Sequence, residues 1–201
     1  MYIDLTLPLN EKTPVFPGTP TPQIKQFSTI ETKGYNEKRI TITSHASTHI
    51  DAPRHMIPDG KTLTDYPIEK FIGKGIVIDV TGQKEIHTDI TKFHKDDIVL
   101  FYTGHSKNIN KKNYFENNPV LSIKTAKDLI EKQVKIIGID SFTPDNHPFE
   151  IHKMLFKKNI LIVENLINLD KLIDKSFTCY ILPLKIQDAD GAPCRVIAEI
   201  I

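Results

Sequence analysis

Between Ser44 and Met56 the chain reads Ser-His-Ala-Ser-Thr-His-Ile-Asp-Ala-Pro-Arg-His-Met, which places His45, His49, Asp51 and His55 within eleven residues. His152 and Glu164 follow at a distance. Neutral imidazoles and carboxylates are the ligands that divalent zinc or manganese takes from proteins, and three histidines around one aspartate form a dense set. The pattern outlines a metal site. His87, His94 and His147 lack such company and read as ordinary surface or core residues.

A straight chain could not bring this set to one ion. At ~3.3 Å per residue, His45 and His49 would stand about 13 Å apart on one face of a strand. A helical turn or tight bend over Ala46-Ser47-Thr48 brings positions four apart together, and Pro53 then biases Ala52 towards extended backbone. The segment is therefore expected to run strand, turn, extended loop. Residues 39–43 are β-branched and alternating, and predict a strand that leads into the cluster. Glu164 ends the apolar run 160–163 and would carry a carboxylate out of a buried strand, where it needs a cation or several donors. The C-terminal end of a sheet strand is a common ligand position in α/β proteins. His152 falls in a helix predicted over 148–158.

Further strands are predicted at 3–7, 75–80, 98–102, 134–139, 160–163, 178–184 and 195–200, mostly as short apolar runs that suggest a sheet buried on both faces. Residues 122–133 carry apolar positions at helical spacing behind Ser122 as a cap. The last two strands should pair antiparallel around Asp190-Gly191. The expected fold class is α/β: a single domain, 1–201, with a mixed central β-sheet and flanking helices. A proline-rich loop from Pro14 to Pro22 presents Phe16, either as a ligand-facing wall or as a plug over the core edge.

Composition narrows the partners. A net charge of +1 gives no field for nucleic acid or acidic membranes, and only Arg39, Arg54 and Arg195 offer guanidinium groups. No signal peptide or membrane span is read in the sequence, and the cytoplasm is the expected compartment. Cys179 and Cys194 are expected as reduced thiols in preference to a lone disulfide.

Quoted as it stands, His45-Ala-Ser-Thr48-His49-Ile-Asp51-Ala-Pro53-Arg-His55 resembles the His-x-Gly-Thr-His-x-Asp-x-Pro-x-His motif of the cyclase-like metal-dependent hydrolases, of the bacterial kynurenine formamidase type. The resemblance runs over essentially the whole chain, through Asp4-Leu5-Thr6, Phe16-Pro17-Gly18, Gly138-Ile139-Asp140, Glu164-Asn165-Leu166 and Leu182-Pro183-Leu184-Lys185. It implies a swivelling β/β/α fold of the cyclase type and two zinc ions per subunit, with manganese as an alternative. His45, His49 and Asp51 would hold one ion. Asp51 and Glu164 would bridge to a second, completed by His152. His55 would be the general acid and base, and Phe16 would bind substrate. The family also implies a homodimer or larger homo-oligomer. Ser47 stands where the motif has glycine, and Phe16 where the formamidases have tryptophan.

Two metals sharing a water would lower its pKa towards neutrality and supply a hydroxide for attack on a carbonyl. The expected activity is hydrolysis of an N-formyl arylamine such as N-formylkynurenine to formate and the free amine. The alternatives are hydrolysis of a cyclic amide or ester, such as isatin or a lactone, and metal or ligand binding without turnover. His105 reads as a pocket residue or, in preference, a loop cap. Asp140, Asp145 and Arg195 are candidates for loop contacts or for support of the ligands.

Overall fold

A computed structural model describes residues 1–201. Its strands in chain order are β1 (Tyr2–Asp4), β2 (Gln23–Ser28), β3 (Glu37–Thr41), β4 (His49–Asp51), β5 (Ile72–Asp79), β6 (Glu85–Ile86), β7 (Ile98–Tyr102), β8 (Val120–Leu121), β9 (Ile136–Ile139), β10 (Leu161–Glu164), β11 (Phe177–Pro183) and β12 (Gly191–Ile200). Helices are α1 (Ile30–Lys33), α2 (Ile123–Glu131) and α3 (Glu150–Phe156). Eight strands form one sheet in the order β1-β12-β11-β5-β7-β9-β10-β4, and β4 also pairs with β12, so the sheet closes on itself. The parallel pairs β5–β7, β7–β9 and β9–β10 sit among antiparallel ones, which makes the sheet mixed and the fold class α/β.

Alternation along the strands divides the core. Ile98 and Leu100 of β7, Ile136 of β9, Leu161 and Val163 of β10 and Ile50 of β4 face the inside of the closed sheet. Val99, Phe101, Ile137, Ile139 and Ile162 point outward and meet Ala126 and Leu129 of α2 and Ile151, Leu155 and Phe156 of α3. Both faces of these strands are buried, which explains their unbroken apolar runs. Each such side chain contributes about 1.5–3 kcal/mol when fully buried. Helix α2 starts where Ser122 Oγ accepts the Thr125 N–H at 3.0 Å, the cap read from the sequence.

Three local readings change. The strand expected at 39–43 is found at Glu37–Thr41, and β3 pairs only with β2 in a separate exposed hairpin and takes no part in the central sheet. His49–Asp51, expected as extended loop, forms β4, because its backbone meets β10 on one side and β12 on the other. The first strand is shorter, Tyr2–Asp4, followed by an isolated bridge from Thr6 to Leu166. Cys179 and Cys194 are buried free thiols. No helix is long and apolar enough to cross a membrane.

Candidate metal centre

The site is built on the outer face of the sheet seam. Ile50 of β4 points inward, so His49 and Asp51 point outward together. On β10, Val163 points inward and Glu164 outward, and the antiparallel register sets Glu164 directly opposite His49. Helix α3 packs over this face and brings His152 above both strands. The two distant stretches of sequence meet here: His49 Nε2 lies 3.3 Å from both Asp51 Oδ1 and Glu164 Oε2. His152 Nε2 lies 3.4 Å from Glu164 Oε1 and 3.9 Å from Asp51 Oδ2.

The bend before β4 supplies His45. Ser47 adopts φ 59°, the left-handed backbone that explains glycine at this place in related motifs. Its hydroxyl donates to Leu7 O at 2.8 Å, and its carbonyl accepts from His49 Nδ1 at 2.9 Å. That bond leaves Nε2 of His49 as the free ligand atom. Thr48 Oγ1 donates to Asn165 O at 2.6 Å, stitching the start of β4 to the exit of β10. The bend turns the His45 ring back over the strand, with Nδ1 2.7 Å from Asp51 Oδ1 and Nε2 2.8 Å from Asp190 Oδ2. Pro53–His55 is a 3-10 turn, and it lays the His55 ring beside His45 at a centroid separation of 4.0 Å.

Ligand atoms of His45, His49 and Asp51 all lie within 4.8 Å of one another, as do those of Asp51, His152 and Glu164. The two groups share Asp51, and their imidazole nitrogens and carboxylate oxygens are donor types that zinc and manganese take from proteins. A third group of His45, His55 and Asp190 meets the same distance limit.

Charge reinforces the assignment. Burial opposes a proton on His45, yet Asp51 and Asp190, one at each ring nitrogen, hold its pKa up at about 10. Burial likewise opposes His152, while Asp145 and Glu164 raise it to about 10. His49 is also raised, by Asp51 and Glu164 against its burial. Burial works to raise Asp51, but His49 and His45 pull it below the ordinary carboxylate range. The carboxylates therefore favour a proton on each of these three rings in the metal-free protein. His55 moves the other way: burial lowers it, and burial together with His45 and His152 outweighs the opposing pull of Asp51 and Asp190.

Sequence reasoning did not single out Asp190, and it left the role of Asp145 open. Asp145 Oδ2 accepts from the backbone N–H of Ile151 at 2.8 Å and of His152 at 3.3 Å, so it caps α3. Its other oxygen bonds His152 Nδ1, which aims Nε2 at the carboxylates. Asp190 was visible only as a turn residue. The residue after it, Gly191, lets the His45 ring approach, because a Cβ there would lie 2.6 Å from His45 Cε1. Asp140 is a loop anchor that accepts from Thr103, Gly104 and Ser106. His105 is buried with Nε2 2.8 Å from Tyr114 O, the loop-cap role. Arg195 pairs with Asp4 on the surface.

A cavity of about 540 Å³ opens over the centre, lined at its floor by His45, His49, Asp51, His55, His152 and Glu164. Its walls carry Phe16, Phe115, Phe142 and Phe149. Phe16 reaches it from the proline-rich loop, with its ring 6.2 Å from those of Phe115 and Phe142. Thr43 also lines the cavity, and its hydroxyl is buried without a hydrogen-bond partner.

A closed mixed sheet carries a cluster of histidines and carboxylates under an open cavity, the setting of a metal-dependent hydrolase. The model of the Cyclase family matches residues 3–146, and the chain belongs to that family. It is 33% identical to a kynurenine formamidase of Bacillus cereus over 201 residues, covering 98% of this chain and 96% of that protein. A kynurenine formamidase of Bacillus anthracis matches with the same identity and coverage. Among solved structures, a potential metal-dependent hydrolase with cyclase activity superposes with a TM-score of 0.83 at 28% identity, over 98% of this chain and 96% of that one. An isatin hydrolase bound to thioisatinate shares the fold, with a TM-score of 0.87 at 22% identity over 100% of this chain and 92% of that one.

Proposed function

We propose that this protein hydrolyses the amide C–N bond of an N-formyl arylamine, with N-formylkynurenine the foremost candidate, giving formate and the free amine. The observation that carries this reading is the pair of ligand groups sharing Asp51, with His55 beside them, at the floor of a phenylalanine-walled cavity. His45, His49 and Asp51 would hold one zinc or manganese ion, and Asp51, His152 and Glu164 the other. Divalent ions at such a place supply Lewis acidity and a lowered pKa for water. His55, whose burial disfavours its charged form, takes the proton released as water adds to the formyl carbon. It returns that proton to the departing amine nitrogen. Phe16, Phe115 and Phe142 give the aryl ring an apolar wall and exclude bulk water.

A second reading has its own support. None of the nineteen residues lining the cavity is lysine or arginine, so its walls also suit a neutral bicyclic lactam such as isatin. We further propose that the chain works as a homodimer. Phe27, Ile30, Tyr35 and Ile40 stand exposed on the β2–β3 hairpin and the turn of α1 between its strands, and a two-stranded hairpin is marginal without a partner surface.

Steady-state assays on N-formylkynurenine, simple formanilides and isatin test the reading. Turnover should vanish with a chelator, return with zinc or manganese, and fall by about 10²–10⁴ in His55→Ala while bound metal is retained. Metal-loaded wild-type protein that opens none of these bonds would reject it.

A further inference from the structure

Asp190 stands beside His45 and His55, with its backbone tied to a neighbouring strand. Its carbonyl accepts the Ala52 N–H at 2.8 Å, which ties it to the end of β4. From that fixed point one oxygen, Oδ2, meets two rings: Nε2 of His45 at 2.8 Å and Nδ1 of His55 at 3.4 Å. Carboxylate oxygens accept, so both ring nitrogens facing Asp190 must carry hydrogen. On neutral His55 the opposite nitrogen, Nε2, is thereby left with its lone pair. On His45 the opposite nitrogen, Nδ1, faces the Asp51 carboxylate, so the metal-free ring carries hydrogen at both nitrogens; a cation held by Nδ1 would displace only that hydrogen, because Asp190 keeps the one at Nε2. The seat is completed by Gly191, where any side chain would strike the His45 ring.

We propose that Asp190 is a positioning residue that sets the tautomers of His45 and His55 together through one shared oxygen, so that a ligand nitrogen and a proton-accepting nitrogen are presented at the same time. The proposal rests on the hydrolase reading for the role of His55, but the tautomers themselves are properties of this chain. A neutral imidazole left to itself carries its hydrogen on either nitrogen, and which one is fixed by the bond the other makes. Removing a carboxylate that orients a ligand histidine costs about 10–100-fold in metal affinity or activity. Asp190 serves two rings, so both quantities should fall in the same variant.

The direct test is nitrogen NMR of ¹⁵N-histidine-labelled, zinc-loaded protein, comparing wild type with Asp190→Ala. In the wild type His55 should carry hydrogen at Nδ1, and in the variant that hydrogen should shift to Nε2 or distribute over both. Kinetics on the best substrate should show kcat lowered about 10–100-fold with KM within about twofold, and zinc should be lost to a competing chelator more readily. Asp190→Leu, of similar size and without an acceptor oxygen, carries the same kinetic and chelator test if the alanine variant does not fold. A folded variant with the wild-type tautomer at His55, or with unchanged kcat and zinc retention, overturns the proposal. If wild-type protein proves inactive on every amide, the hydrolase reading fails while the NMR comparison still decides the role of Asp190.

Discussion

Substitution at Ser47 separates the strain of a left-handed residue from the hydrogen bond that offsets it. Ser47 holds φ 59°, a conformation that costs a side-chain-bearing residue about 1–2 kcal/mol. Its Oγ donates to Leu7 O at 2.8 Å in a partly buried setting, which contributes about 0.5–1.5 kcal/mol. Ser47→Ala keeps the strain and loses the bond, so it should destabilise by about 1 kcal/mol, or about 2–4 °C in Tm for a chain of this size. Ser47→Gly relieves the strain, loses the same bond, and raises the entropy of the unfolded chain by about 0.4–1 kcal/mol. These three effects nearly cancel, and the glycine variant should lie within about 1 kcal/mol of wild type and above the alanine variant. Both keep the Ser47 carbonyl that orients His49, so zinc retention should be unchanged. Ser47→Pro, with φ fixed near −65°, cannot make the bend and should lose zinc. Equilibrium denaturation of chelator-treated and zinc-loaded protein measures each step. An alanine variant as stable as wild type, or a glycine variant more stable by about 2 kcal/mol, would contradict this balance of backbone strain and hydrogen bonding.

Three other outcomes follow from the same structure. His45 and His152 have folded pKa values raised from 6.5 to about 10, so their protonation stabilises the metal-free fold fully below about pH 6.5 and less and less as pH rises towards 10. Chelator-treated protein should therefore melt at lower temperature at pH 9 than at pH 6.5, whereas a flat profile contradicts the charge balance of the empty centre. Thr43→Val removes a buried hydroxyl that has no protein partner, so Tm should stay within a few degrees while kcat/KM falls about tenfold; a fall in Tm without loss of turnover points to a structural hydroxyl instead. Burial pushes the Cys179 thiol up to about 12 and raises Cys194 well above its ordinary value, so neither should react with a disulfide reagent at pH 8 until denaturant is added.

Much of this was legible in the chain before folding. Dense histidine spacing at 45–55 exposed half of the centre, and the bend at 46–48 was required by the reach of a strand. The apolar runs at 98–102 and 160–163 announced strands with both faces covered, and they lie in β7 and β10. Glu164 stood out because a carboxylate at the end of such a run needs a partner. Closure of the sheet was not legible, since β4 is three residues long and its strand character comes from the two edges it joins, not from its own sequence. Asp145 and Asp190 were hidden for a related reason. A lone aspartate in a loop looks like any other turn residue, and only the fold shows that one caps α3 and grips His152 while the other bridges two rings. Thr43 carries no signal at all in sequence, because an unpaired hydroxyl is defined by what surrounds it.

On the proposed function, His45, His49, Asp51, His152 and Glu164 assemble two adjacent cation positions that share Asp51. Anomalous diffraction at the zinc edge, on crystals of protein grown with zinc, tests it most directly. Two peaks should appear side by side, one against His45 and His49 and one against His152 and Glu164, with Asp51 between them. Peaks absent from this seam, or confined to histidines elsewhere on the surface, would contradict it.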